Sequence, residues 1–177
     1  MSALKSNASL IIGSILAVLF QIILAPSISL MYATPNFILV FVVVASIFKH
    51  SAACYVTAFV LGLIYNLIGT STVGAMAVCL ILLSFVLVSV FSVIEGSHPI
   101  VAVPTLLVSC VVVEVLYALV LIALGQQMSF VDACIYGVIP NAIYDVIVGL
   151  IIYPIASSIL RHDSTTTKAQ INMVSFR

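Results

Sequence analysis

Three polar side chains interrupt apolar stretches that are long enough to cross a bilayer: Asn66, Glu114 and Asp145. An ionisable group in hydrocarbon costs roughly 3 kcal/mol even on lenient insertion scales. Each carboxyl is therefore expected to have a hydrogen-bond partner or a function. With a rise of about 1.5 Å per residue, each of the three lies about 22 Å from the same side of the membrane. We therefore expect them to share one layer. Two bare carboxylates in apolar surroundings repel, so one of them should stay protonated and hydrogen-bond the other.

Such an intramembrane polar cluster has two interpretations. In the first, it faces the interior of a helix bundle and binds a proton or a small solute. In the second, polar side chains satisfy one another and fix the register of neighbouring helices, each hydrogen bond contributing about 1 kcal/mol. The side chains available for these bonds, besides Asn66, are Glu114, Asp145, Asn141, Tyr144 and Tyr117.

The sequence lacks the residue patterns that are typical of a catalytic site or a metal site. No carboxylate is accompanied by a nucleophile, a base and an oxyanion donor in the arrangement that catalysis requires. Phosphate-binding and dinucleotide-binding glycine motifs are absent from the sequence. The histidines fall at loop or tail positions, and the cysteines fall in or beside apolar stretches without metal-ligand spacing. These residues are His50, His98, His162, Cys54, Cys79, Cys110 and Cys134. We expect no enzyme activity, no metal and no cofactor.

The elements that must position the polar cluster follow from composition. Of the 177 residues, 64% are apolar and only 6% are charged, with five basic and five acidic side chains. So few charges cannot coat a water-soluble fold of this size, whereas lipid tails cover apolar side chains at no cost. The zero net charge leaves no basic surface for nucleic acid. The sequence predicts an integral membrane protein and excludes a nucleic-acid partner.

Short polar breaks divide the chain into six apolar segments, since a span needs about 20 residues, or fewer where the bilayer thins. We predict an all-α fold with the six helices in one compact bundle, a transmembrane domain over residues 1–160 and a polar cytoplasmic tail over 161–177. Pro35 opens the second span, because proline suits the first turn of a helix. The predicted spans are about 9–25, 35–48, 52–68, 73–94, 99–124 and 133–160.

The basic residues predict the orientation, because Lys and Arg near helix ends are retained in the cytoplasm. Six spans place both termini on one side. If that side is the cytoplasm, all five basic residues lie inside and none falls in an external loop. These residues are Lys5, Lys49, Arg161, Lys168 and Arg177. The charge pattern therefore favours six spans with both termini cytoplasmic.

Small residues recur at helical spacing on the first span, at Ser9, Gly13 and Ala17. Helices in lipid pair where small side chains let the backbones approach closely. This stripe is a candidate docking face for a partner protein. It is equally suited to packing against another helix of the same chain, which is the commoner use of such stripes.

The region from Pro35 to Phe85 resembles the rod shape-determining protein MreD family. Three local features carry the resemblance: Pro35 at the start of an apolar segment, the basic break KHS at residues 49–51, and GLIYNLIG at 62–69 followed by TSTVG at 70–74. The last apolar segment, VIPNAIYDVIVGLIIYPIASSIL, also looks like the family's last helix. Glu114 lies in a similar place to an acidic residue of some members. In size and number of spans, the resemblance covers essentially the whole chain.

One departure from the family pattern concerns the charges. The family often has Asp where this chain has Asn66, and Asn can stand where it has Asp145. The resemblance implies a non-enzymatic subunit of the bacterial cell-elongation complex. This complex lies in the inner membrane, directs peptidoglycan synthesis and maintains the rod shape. The implied partners are the single-span protein MreC, the MreB filament, and a peptidoglycan polymerase and transpeptidase pair. The implied mechanism is scaffolding of MreC and these partners.

Two other functions fit a small six-helix membrane protein. The first is the substrate-binding (S) subunit of an energy-coupling-factor (ECF) vitamin transporter, to whose architecture the predicted bundle is similar. In that case Asn66, Glu114 and Asp145 would line a vitamin pocket, although Trp is absent and the external loops offer few groups to grip a polar vitamin. The second is a proton-coupled carrier with Glu114 and Asp145 as a relay. No internal repeat supports that reading.

Overall fold

A computed structural model of the chain describes residues 8–29, 33–49, 51–69, 72–93, 99–127 and 129–175, with the side chains of all of these except 99 and 159–175. The regular structure in these ranges is helical, which confirms the all-α prediction for this part of the chain. The helices are α1 (Ala8–Ser27), α2 (Phe37–Phe48), α3 (Ala52–Ile68), α4 (Ala75–Val93), α5 (Pro99–Ala123), α6 (Phe130–Ala133) and α7 (Ile139–Ser175), with a π-helical turn (Cys134–Val138) between α6 and α7.

Four helical stretches are long and apolar enough to cross a membrane: α1, α4, most of α5, and the continuous stretch Phe130–Ser158. Helices α2 and α3 are apolar but shorter. At about 1.5 Å per residue, the 12 residues of α2 extend roughly 18 Å, against a hydrocarbon core of about 30 Å. If α6, the π turn and α7 are counted as one continuous helix, the described residues contain six helices. The number of crossings remains a prediction.

The short helix α2 forms the centre of the molecule. Every residue from Phe37 to Ile47 is buried, and the helix packs against α1, α3, α4, α5 and α7. A helix that is apolar on all sides is typical of a position inside a bundle. The apolar core is built around α2.

The start of α2 differs from the sequence prediction. Pro35 was expected to open the helix, but the first helical residue is Phe37 and Asn36 is the N-cap. The side-chain oxygen of Asn36 accepts a hydrogen bond from the Leu39 N–H at 2.9 Å. Asparagine is among the best N-cap residues because its side chain satisfies one of the unpaired N–H groups of the first turn. Pro35 therefore lies in the chain that leads into the helix.

Helices α3 and α4 form a closely packed hairpin. A Cβ atom added to Gly62 would lie 2.4 Å from the Cα of Ala77, so the two backbones approach as closely as glycine allows. Gly74, in the turn between the helices, has φ of 95°, a left-handed conformation that favours glycine. The hairpin therefore depends on glycine at both positions.

The last helical stretch is continuous but not uniform. The Ile139 N–H bonds to the Cys134 carbonyl, five residues back, which widens one turn. Pro140 follows directly and has no N–H to donate, so regular α-helical bonding is interrupted at this point. Helix α7 continues to Ser175, whereas the predicted span ended near 160. The cytoplasmic placement of residues 161–177 stays a prediction.

The predicted orientation also stays a prediction. Of the five basic side chains that support it, the structure describes Lys49, at the end of α2. The others, and all three histidines, lie outside the described side chains: Lys5, Arg161, Lys168, Arg177, His50, His98 and His162.

Candidate functional site

Two carboxyl groups meet inside the bundle. Glu114 lies on α5 and Asp145 on α7, and their side chains are 5% and 0% exposed. The carboxyls are within hydrogen-bonding reach of each other. Asn141, one turn before Asp145, donates from Nδ2 to Glu114 Oε2 over 3.5 Å, a long hydrogen bond. The structure thus brings together three of the residues that the sequence singled out.

Asp145 also holds the start of α2. Its Oδ1 accepts a hydrogen bond from the Asn36 backbone N–H at 2.6 Å. An oxygen acceptor is favourable here because unpaired N–H groups give the helix N-terminus a partial positive charge. Asp145 Oδ2, in contrast, has no donor among the described residues. The Glu114 carboxyl, within hydrogen-bonding reach of Asp145, can supply a donor when it is protonated.

The non-helical chain before α2 is held by two further amide side chains. Gln21 of α1 donates from Nε2 to the Pro35 carbonyl at 3.2 Å and accepts from the Phe37 N–H at 2.8 Å. Asn141 Oδ1 accepts from the Thr34 N–H at 3.1 Å. Irregular backbone at membrane depth is tolerated only where protein groups satisfy it. These side chains do so for residues 34–37.

Asn66 belongs to a neighbouring polar group that links α3, α4 and α5. Its Oδ1 accepts from the Met76 N–H at 2.9 Å, and its Nδ2 donates to the Tyr117 hydroxyl at 3.4 Å. Asn66 therefore joins α3 to the first turn of α4 and to α5. Tyr117 lies one helical turn from Glu114. The predicted single layer is thus two adjacent groups that meet along α5.

Tyr144 is placed next to this site but takes no part in its hydrogen bonds. The side chain is half-buried, and no described residue donates to its hydroxyl or accepts from it. It precedes Asp145 in the chain and points to a different face of α7, because successive residues are about 100° apart on a helix.

The small-residue stripe of α1 faces the interior. Ser9 and Ala17 are buried, and a Cβ added to Gly13 would lie 2.3 Å from the ring of Phe41 on α2. The missing side chain of Gly13 makes room for that ring. The structure therefore uses this candidate docking face for packing within the chain.

Sequence reasoning missed several polar contacts. Gln21 was overlooked although it is a polar residue within an apolar span, which is itself a signal. Asn36 was overlooked although Asn directly before an apolar helix is a common N-cap. Ser46 and Ser84 share a buried hydroxyl hydrogen bond of 2.9 Å between α2 and α4. No sequence signal marks that pair, because serine is common in membrane helices.

Metal binding receives no support from the side-chain positions. Within the described part of the chain, no group of three or more His, Cys, Asp or Glu side chains could hold a metal ion. The four cysteines are free thiols, three of them buried. Those three behave as small core residues.

The described helices, four of them long and apolar enough to cross a membrane, and the small polar cluster buried among them define a helical membrane protein. The model of the family described as rod shape-determining protein MreD matches residues 4–162 of the chain. The chain therefore belongs to the MreD family of rod shape-determining membrane proteins. No curated protein and no solved structure matches the chain. The predicted similarity to S components of ECF transporters gains no support from these comparisons.

Proposed function

We propose that the chain is a non-enzymatic, multi-pass inner-membrane subunit of the bacterial cell-elongation complex. In this role it scaffolds MreC and thereby the MreB filament and a peptidoglycan polymerase and transpeptidase pair. Membership of the rod shape-determining family is the observation that carries the proposal. Both termini lie in the cytoplasm, where the basic residues can meet cytoplasmic partners or anionic lipids.

The lateral surface of α1 supports a scaffolding role. Its large apolar side chains are widely exposed, and one side of the helix borders a groove shared with α3. The groove has a volume of about 420 Å³. Its walls include Ile11, Ile15, Val18, Val56, Val60 and Ile64. Helices associate in lipid by close van der Waals packing, so a groove between two helices suits a third one.

We assign this groove to the single membrane-spanning helix of MreC. A single helix offers a continuous apolar ridge, which matches a groove that is lined almost wholly by apolar side chains. The chain would then act by presenting a helix face, with no chemical step of its own.

The test is purification of the tagged chain from its native membrane in mild detergent, with mass spectrometry of the proteins that accompany it. We expect MreC and cell-wall synthases. Filling the groove with Ile15→Trp should reduce MreC recovery severalfold, while Val112→Trp, on the exposed face of α5, should leave it unchanged. Recovery of paired ATPases and a coupling subunit instead of MreC would overturn the proposal.

A further inference from the structure

Besides the α1–α3 groove, the structure has a cavity beside the carboxyl pair of Glu114 and Asp145. This cavity lies between α5 and the stretch that contains α6, the π turn and the start of α7. Its volume is about 170 Å³. Four polar side chains line it: Glu114, Tyr117, Gln126 and Asn141. The remaining wall is apolar and is formed by Ala118, Leu121, Ile122, Ala133, Gly137 and Val138. It extends from the buried Glu114 to Gln126, just beyond the end of α5.

The buried end of this cavity holds an acidic group without a positive partner. Glu114 lines the cavity, and its carboxyl lies within hydrogen-bonding reach of Asp145 behind the wall. No Lys, Arg or His is among the described residues that line the cavity. A charge in apolar surroundings is stabilised by an opposite charge that also forms hydrogen bonds. The cavity therefore suits a cation that donates hydrogen bonds.

The dimensions restrict the ligand further. An apolar cavity of about 150 Å³ holds a molecule the size of benzene, whereas pockets for drug-sized ligands and cofactors measure roughly 300–1,000 Å³. We propose that this cavity binds a small primary amine as its ammonium ion. Its N–H groups donate to the Glu114 carboxylate and the Tyr117 hydroxyl oxygen, and its apolar body lies along Leu121 and Val138. The proposal is independent of the scaffolding role.

The π-helical turn contributes Gly137 and Val138 to the cavity wall. Apart from its two chain neighbours and the helix's own backbone, no atom lies within 4 Å of a Cβ added to Gly137. A larger side chain at this cavity-lining position therefore fits without a clash with another helix and should fill the cavity. Single π turns inside α-helices frequently occur at functional sites. Gly137→Leu therefore removes the cavity while leaving the bundle able to fold. Ala123→Leu is the matched control, because it adds the same side chain at an exposed position of α5 outside the cavity lining.

The experiment uses the full chain in phosphatidylcholine nanodiscs, with 4-fluorobenzylamine as the probe and ¹⁹F NMR as the readout. Empty nanodiscs correct for partition into lipid. We expect saturable binding at least about tenfold tighter than that of 4-fluorobenzyl alcohol, a difference of about 1.4 kcal/mol. Binding should be lost in Gly137→Leu and kept in Ala123→Leu. Equal affinity for the amine and the alcohol, no saturable binding, or binding that survives Gly137→Leu would each overturn the proposal.

The position of the charge gives an independent readout. Glu114→Gln removes the carboxyl that lines the cavity and leaves Asp145 behind the wall, so amine affinity should fall about tenfold. Asp145→Asn keeps the Glu114 carboxyl at the wall, so affinity should change less than about threefold. The opposite order would contradict the assignment of Glu114 as the contact.

A primary ammonium group can come from a free amine or from an aminophospholipid headgroup. Adding phosphatidylethanolamine to the nanodiscs separates these sources. Displacement of the probe identifies the lipid headgroup, and undiminished probe binding identifies a free amine. The discs of phosphatidylcholine alone, whose nitrogen carries no N–H, are the control for this displacement.

Discussion

Helices α1 and α2 have similar apolar composition but opposite surroundings. The side of α1 away from the bundle exposes many large aliphatic side chains, including Ile15 at 56%. In α2 every residue from Phe37 to Ile47 is buried, and Ile38 is 0% exposed. In water, such a difference would require a polar face on the exposed helix. In a bilayer it does not, because lipid tails solvate isoleucine as well as a protein core does.

Length and polar anchors, more than hydrophobicity, distinguish the two helices. The 20 residues of α1 extend about 30 Å, enough to span the hydrocarbon core. The 12 residues of α2 do not. Its N-terminus therefore needs protein donors and acceptors, which Gln21, Asn141 and Asp145 supply. The polar cluster is what allows a short, almost wholly apolar helix to occupy the centre.

The largest expected effect comes from a matched pair of truncations. Ile38→Ala should lower the free energy of unfolding by about 2–4 kcal/mol, because it leaves a cavity in a packed core. Ile15→Ala should lower it by less than about 0.5 kcal/mol, because lipid fills the space that the side chain vacates. Unfolding in mixed detergent and SDS micelles measures both. Equal losses would contradict the opposite surroundings of α1 and α2.

Loss of the Asp145 hydrogen bond to the start of α2 should have the next largest effect on stability. Asp145→Ala should cost about 2–3 kcal/mol, because it removes the acceptor and leaves the Asn36 N–H buried without a partner. Asp145→Asn keeps an oxygen at Oδ1 and should cost less than half as much. The same unfolding titration compares the two variants. If the amide is as damaging as alanine, the carboxylate has a role at the site beyond accepting this hydrogen bond.

The anchor at Gln21 should be weaker. Gln21→Leu has nearly the same size but leaves the Pro35 carbonyl and the Phe37 N–H without their partner, so we expect a loss of about 1–2 kcal/mol. Ile22→Leu, at the next and exposed position of α1, serves as the control and should be neutral. Hydrogen exchange at the Phe37 amide should rise in the first variant alone. Unchanged exchange would mean that Gln21 does not hold the start of α2.

The smallest net effect is expected for the buried hydroxyl pair. Ser46→Ala or Ser84→Ala alone should cost about 1 kcal/mol, since each leaves the other hydroxyl without its hydrogen bond. The double variant should cost less than the sum of the two, because both polar groups are then gone. A double-mutant cycle measures this coupling. Strict additivity would show that the hydrogen bond contributes nothing to the packing of α2 on α4.

The sequence predicted those features that depend on the cost of polar groups in lipid. The all-helical fold follows from the scarcity of charge, and Glu114, Asn141 and Asp145 stand out because hydrocarbon penalises them. Helices α5 and α7 bring the carboxyls of Glu114 and Asp145 to one place, as their shared depth suggested. The meeting of Asn66 with Met76 depended on the α3–α4 turn, whose geometry the sequence does not specify.

Which helix lies at the centre could not be predicted. Amphipathic periodicity normally reveals the buried face, but here exposed and buried residues are equally apolar, so the pattern is absent. The packing role of Gly13 likewise depends on Phe41, which is distant in the chain. The N-cap at Asn36 was readable in principle, but Pro35 beside it gave the stronger and misleading start signal.

The central functional claim is that the α1–α3 groove receives the membrane-spanning helix of MreC, and site-specific photo-cross-linking in living cells tests it most directly. A photoreactive phenylalanine replaces Ile15 or Val60 in the groove, or Val112 on the exposed face of α5 as the control. We expect cross-links to MreC from both groove positions and none from the control. Cross-links from Val112 alone would contradict it and move the interface to α5.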